Sequence, residues 1–176
     1  MKFEFGPKDF PPTQKAAKIA EKILRQYEIQ GLHGVHSITA VEFYLSAPHY
    51  CDSANHCHPL QLKSGKWYIH TFKNHHSLKA PRYSGIDLTC GNAKNEIHAG
   101  ILIRQLDGEG GSGLAIMKLM RGSKAKFGHA VKGDKRLSWS QKEKDFLLNL
   151  QGQDAFKASI YLKKRSTKAQ GIIVAK

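Results

Sequence analysis

The chain is short of cysteine: three in 176 residues, with no even set to pair. That excludes a disulfide-framed scaffold and points to a reducing compartment. It has no apolar run near the roughly 20 residues that a membrane-crossing helix needs. The stretch Met1 to Phe10 lacks the basic start and apolar middle of a signal peptide, so a cytoplasmic protein is expected. No internal repeat or low-complexity segment is evident. Acidic residues are also scarce. Fourteen Asp and Glu stand against 28 Lys and Arg, a formal net charge of +14. Such an excess attracts a polyanion, and nucleic acid is the leading candidate. An anionic membrane surface fits less well, because no long basic amphipathic helix is present.

What is there reads as one α+β domain over 1–176, a curved antiparallel sheet flanked by helices. After Pro11-Pro12, Thr13 is placed to cap a helix carrying Ala16, Ile19, Ile23 and Leu24 at helical spacing. Gly31 and Gly34 suggest a hairpin. Ile38 to Leu45 reads as a buried strand, and residues 46–64 as loop. Lys66 to Phe72 and Ser84 to Cys90 read as paired strands around a basic flap, Lys73 to Tyr83. Ala99 to Leu106 is a further strand, followed by a glycine-rich loop. Leu114 to Met120 forms a short helix with Lys118 exposed, and Arg121 to Arg136 a basic loop. Ser140 and Glu143 form a capping box for a helix from Gln141 to Leu150. Ala155 to Lys163 alternates like a strand, and Gly171 to Val174 ends the chain with another.

Between Ala40 and Arg104, each apolar run carries a polar residue that a plain core strand would not choose. Glu42 lies in Ala40-Val41-Glu42-Phe43, and Arg104 follows Ile101-Leu102-Ile103. A carboxylate and a guanidinium in neighbouring apolar strands would neutralise each other as a buried ion pair. Alternatively, they bind and activate a water, the glutamate acting as base if its surroundings bring it toward working pH. Tyr44 shares the face of Glu42, and Tyr68 and His70 point the same way along their strand while Trp67 points opposite. Flat walls of this kind suit a flat heterocycle, although core packing is the default for any one of them. His49, Cys51, His56, Cys57 and His58 offer zinc-type donors, but in no finger, ribbon or deaminase spacing. No metal or other cofactor is expected. Asp52 and His56 stand one turn apart if a local helix forms, which would let the acid orient the imidazole.

Together these segments resemble the alkyladenine (3-methyladenine) DNA glycosylase family, patchily, from about Phe10 to Gly128. The carriers are Val41-Glu42-x-Tyr44-Leu45, Asp52-x-x-x-His56, Gly65-x-Trp67-Tyr68-Ile69-His70 and Leu102-Ile103-Arg104-x-Leu106. The resemblance implies that Glu42 activates water, with Arg104 helping to hold it. It implies that Tyr44 stacks on a flipped base and that His56 lies beside that base. His70 falls at a second base-stacking tyrosine, and Asp87 near an asparagine that discriminates among bases. Gly122-Ser123-Lys124-Ala125-Lys126-Phe127 is similar to a glycine-rich loop near DNA. Tyr83 is a candidate for the tyrosine that wedges into the duplex. Two departures alter the pocket wall: histidine for tyrosine at 70, and acid for amide at 87.

The activity implied is monofunctional base excision from double-stranded DNA by a monomer, since no lysine sits in a recognisable Schiff-base motif. Lys79, Arg82, Lys118, Lys124 and Lys126 would grip phosphates without reading sequence. The competing readings are a non-catalytic nucleic-acid-binding protein, in which Glu42 and Arg104 are only an ion pair, and a small zinc protein centred on His49 to His58.

Overall fold

The computed structural model describes residues 3–71, 83–122 and 140–166. It is an α+β arrangement in which a curled antiparallel sheet carries three α-helices among the described residues: α1 (Thr13–Gln26), α2 (Ser112–Arg121) and α3 (Gln141–Leu150). The strands are β1 (Tyr27–Gly31), β2 (Gly34–Ser46), β3 (Ser64–Thr71), β4 (Tyr83–Cys90), β5 (His98–Leu106), β6 (Glu109–Gly110) and β7 (Tyr161–Lys164). Their spatial order is β3-β4-β5-β2-β1-β7, with β6 paired to β5. The Lys73–Tyr83 flap up to residue 82, the basic loop from residue 123 and the strand at 171–174 lie outside the described residues.

Local chemistry explains most boundaries. Pro12, not Thr13, occupies the N-cap of α1, and Thr13 becomes its first residue. The helix buries Ile19, Ile23 and Leu24 on one stripe. Gly31 pairs with Gly34 across a two-residue turn. The β5–β6 turn is Asp107-Gly108, with φ of 56° and 77°. Two successive positive φ values make the tight hairpin turn that favours Asp-Gly. At α3, Ser140 accepts from the Glu143 amide while the Glu143 carboxylate accepts from Ser140, the capping box expected from sequence.

One expected strand is mostly absent. In Ala155 to Lys163, only the part from Tyr161 joins the sheet. The Asp154 carboxylate accepts from Phe156 N at 2.9 Å, and its carbonyl accepts from Ala158 N at 2.9 Å. An aspartate that satisfies its own neighbouring amides holds a turn in place of a ladder.

The sheet has two unlike faces. Trp67, Ile86, Leu88, Ile101 and Ile103 are buried in the main core, with Val41 and Phe43 packed against it. Tyr68 and Leu102 are also buried but stand outside that cluster, on the opposite face. Leu114 and Met117 of α2 are likewise buried outside it. This second face carries the polar residues singled out above.

Lys118 corrects an expectation. The sequence predicts it exposed and in contact with phosphate, yet it is buried at 3% exposure. Its Nζ lies 2.9 Å from Glu109 Oε2 and 3.6 Å from Asp107 Oδ2, and donates to the Leu106 carbonyl at 3.3 Å. α2 packs along β4 and β5, so the Lys118 stem is covered and its ammonium reaches the β5–β6 turn. A lysine so enclosed cannot grip a phosphate.

Candidate active site

Strand register assembles the site. Opposed residues of an antiparallel pair share a face. Glu42 pairs with Leu102, Leu102 with Asp87, and Asp87 with Tyr68. These side chains therefore form one row across β2, β5, β4 and β3. Tyr44, Gly100 and Thr89 form the row on one side of it. His70, opposite Gly85, and Arg104, two residues beyond Leu102, lie on the other side. Residues up to 62 positions apart in the chain thus share one patch of sheet, Glu42 to Arg104.

The Glu42–Arg104 pair forms, with Nε 3.2 Å from Oε2, but it is not buried. Each side chain keeps 45% of its surface open. The apolar neighbours that suggested burial, Val41, Phe43, Ile101 and Ile103, face the core on the other side of the sheet. Water therefore has access to the carboxylate. Tyr44 stands next to it, half-buried. Its phenol is pushed up to about 12, by burial first and by the negative charge of Glu42 second.

At the other end of the row the environment is closed. Asp87 is fully buried, and His70 is 8% exposed. His70 Nε2 lies 2.7 Å from Asp87 Oδ2. Beyond this contact, neither Asp87 oxygen has a hydrogen-bond partner among the described residues. Burial raises the Asp87 carboxyl, and the neighbouring His70 opposes that shift. Tyr68 is also pushed up to about 12, by burial and then by Asp87.

His56 reaches in from the loop after β2. Its Nδ1 lies 2.9 Å from the Tyr68 hydroxyl, and its ring lies 4.8 Å from that of His70. Desolvation and then the proximity of His70 lower its pKa. Asp52 does not orient this imidazole. It accepts from the amides of Leu45 and Ala54 at 3.3 and 2.9 Å. The expected acid–histidine turn fails because no helix forms between them. His58 stacks on Tyr68 at 4.6 Å.

Two residues of the site escaped the sequence reading. Gly100 lies under the Asp87 carboxylate: a Cβ there would stand 2.5 Å from Oδ2 and 3.1 Å from Gln61 Nε2. Only glycine leaves that space. A glycine inside an apolar strand was the available signal. Gln61 is fully buried. Its Oε1 accepts from His58 N at 2.8 Å, while its Nε2 has no partner among the described residues. Nothing in the sequence marked it.

Lys79, Arg82, Lys124 and Lys126 lie outside the described residues. Tyr83 opens β4, its backbone opposite Thr71. Among the described residues, no group of three His, Cys, Asp or Glu is placed to hold a metal ion. None of their helices is long and apolar enough to cross a membrane. Two cavities of about 460 and 530 Å³ lie elsewhere, beside α1 and around Phe10, Pro48 and Tyr50. The first is lined by Glu4, Lys8, Asp9, Lys15, Lys18 and Lys22 among others, the second mainly by apolar residues with His49, and neither includes a residue of the sheet face.

No family model matches the chain, and no solved structure matches it. A 59-residue stretch, 34% of the chain, is 37% identical to a protein of Acanthamoeba polyphaga mimivirus described as uncharacterized. The match covers 27% of that protein, so the chain spans about a quarter of its length.

Proposed function

We propose that the chain is a monofunctional DNA N-glycosylase similar to the alkyladenine (3-methyladenine) DNA glycosylases, flipping a damaged or modified base out of the duplex and hydrolysing its N-glycosidic bond. One observation carries the reading. A water-accessible carboxylate paired to an arginine shares one face of the sheet with a closed group of aromatic and imidazole side chains. Glu42 takes the proton of a water held with Arg104, and that water attacks C1′. Negative charge beside the sugar stabilises the oxocarbenium-like transition state. Tyr44 and His70, 6.3 Å apart between ring centroids, flank the flipped base. The two rings are inclined at 55°, and a flat ring between two others needs about 7 Å, twice the about 3.5 Å contact distance, so these walls must both part and turn toward parallel to admit it.

The net charge of +14 supplies the attraction to duplex DNA, and binding weakens as salt rises. Extrusion of the base costs a few kilocalories per mole, least for a damaged or mispaired base. The reading needs no cofactor. It carries with it a monomeric protein in the cytoplasm, associated with the nucleoid through DNA.

The test is mass-spectrometric detection of free bases released from lesion-bearing DNA by the wild type and by Glu42→Gln. Release by the wild type and its loss in the variant, with DNA affinity retained, are expected. Excision by Glu42→Gln at the wild-type rate would remove Glu42 from the reaction. The exposure of the Glu42–Arg104 pair favours one alternative, a non-catalytic nucleic-acid-binding protein with an ordinary surface ion pair. In that case no base is released by either protein.

A further inference from the structure

The concavity beside α1, about 460 Å³, gathers lysines from two segments. Lys8 comes from the short 3-10 turn Pro7–Asp9, and Lys15, Lys18 and Lys22 come from α1. Spacings of three and four place the helical lysines along one stripe. Ile19, Ile23 and Leu24 hold another stripe against the core, so the lysines run along the open side. Two carboxylates share the lining, and both are engaged within the protein. Asp9 Oδ2 accepts from the Gly6 amide and from Lys15 Nζ, each at 2.6 Å. Glu4 Oε1 accepts from Asn92 Nδ2 at 2.7 Å. Glu21, also on α1, pairs with Arg25. Lys8, Lys18 and Lys22 form no ion pair among the described residues. Like charges one turn apart, as at Lys18 and Lys22, weaken a helix. An anion from outside would relieve that repulsion.

We propose that this concavity binds the phosphodiester backbone of a nucleic acid, on the far side of the sheet from Glu42. Ammonium groups act as point charges toward phosphate oxygens. Lys18 and Lys22 are about 6 Å apart in rise along α1, nearly two steps of about 3.4 Å along one DNA strand. Lys8 adds a third charge from outside the helix. A polymer of phosphates answers such a set more fully than one phosphate does. Phe3, the aromatic residue in the lining, is 4% exposed and offers no face for a base to stack on. The backbone is therefore held and the sequence is not read. The placement makes this a contact separate from the Glu42 face. α1 packs against β1 and β2, with its apolar stripe in the same core cluster that Val41 and Phe43 pack against. Those two side chains point away from the Glu42 face, so helix, core and sheet all lie between Lys18 and Glu42. A straight duplex seated at Glu42 leaves α1 open to a second segment. Base excision plays no part in the inference.

The experiment is lysine footprinting of the full chain. The protein is acetylated alone and with short duplex DNA, duplex RNA of equal length, ATP, inorganic phosphate or phosphatidylserine vesicles, and each lysine is followed by mass spectrometry. Duplex should slow acetylation of Lys8, Lys18 and Lys22 several-fold, and inorganic phosphate at equal concentration should not. The DNA and RNA arms tell which backbone is bound. Protection should fade with salt, the affinity at these lysines falling with a log–log slope of about −2.7, three contacts at about −0.9 each. The variant carrying Lys8→Gln, Lys18→Gln and Lys22→Gln, verified as folded by circular dichroism, should bind one duplex fewer per chain in a low-salt titration. Unaltered reactivity of the three lysines at saturating duplex, or an equal number of duplexes bound by variant and wild type, overturns the inference. So does protection by ATP or by the vesicles without protection by a duplex. A fall from two duplexes to one leaves the Glu42 face occupied. A fall from one to none sustains the α1 site while removing DNA from the Glu42 face, and with it the glycosylase reading.

Discussion

Two charged clusters lie on neighbouring parts of this sheet, and they are built in opposite ways. Around Lys118, cations and anions close on one another. Its ammonium meets Glu109, Asp107 and a carbonyl, and Asp107 also receives His36 Nδ1 at 2.7 Å and the Ser37 amide at 2.8 Å. Hydrogen bonds from His36 and Ser37 and the charge of Lys118 outweigh burial and lower the Asp107 carboxyl. Along the row from Glu42 to Tyr68 the charges are left half-answered. Asp87 is raised and fully buried against His70, and the Glu42–Arg104 pair is open to water. In sequence Lys118 looks like Glu42 and Arg104, a charged residue in an apolar run. The distinction is whether each charge is answered within the protein. The first cluster is closed on itself, and the second leaves a carboxylate open to water.

The largest expected effect breaks the open cluster. Glu42→Gln should lower base release about 1000-fold, within the range of general-base contributions, in single-turnover assays, with DNA affinity unchanged by fluorescence anisotropy. Lys118→Ala should do the reverse. It leaves Asp107 and Glu109 without their buried cation and should cost about 2–3 kcal/mol in urea unfolding, less than a fully enclosed pair because Glu109 is 60% exposed. DNA affinity should be unaltered, and a Lys118 variant that folds normally but binds DNA poorly would return this lysine to the interface. Gly100→Ala sharpens the comparison from beneath, since its Cβ would stand 2.5 Å from Asp87 Oδ2. It should cost about 1–3 kcal/mol as an overpacking change, and it should impair base release through displacement of Asp87.

The smallest effect concerns a closed pair joining α2 to α3. Arg121 Nη2 donates to Glu143 Oε2 at 2.8 Å, and the Arg121 hydrogen bond, with a further contribution from Ser140, lowers Glu143 to about 2. A depressed carboxylate contributes stability above its unfolded value near 4.5, and that contribution is lost as pH falls toward 2. Thermal melts between pH 5 and about 2 should therefore show a decline that is shallower in Arg121→Ala. Parallel declines in both proteins would mean that this pair does not couple to folding.

Much of the element order was legible along the chain, because helix and strand periods, the Ser140–Glu143 box and the glycine turns are local properties. Asp154 shows the limit: a side chain that bonds its own neighbouring amides overrides an alternating pattern. Lys118 shows another, since helical spacing names the apolar stripe but not whether a flanking lysine is covered by a distant hairpin turn. At the site, sequence singled out Glu42, Tyr44, Tyr68, His70, Asp87 and Arg104, because each is an unexpected polar or aromatic residue in a strand. It did not reveal that Glu42 and Arg104 face water while Asp87 is sealed. Nor did it mark Gln61.

The sequence by itself determined the α+β order, the positive charge and the residue types available for chemistry, since these depend on composition and on contacts within a few residues. Only the tertiary structure decided which charges are answered. Register across β2, β5, β4 and β3 is a long-range property, and burial depends on which face of the curled sheet the core occupies. Those two facts leave Asp87 buried against His70 and Glu42 with access to water.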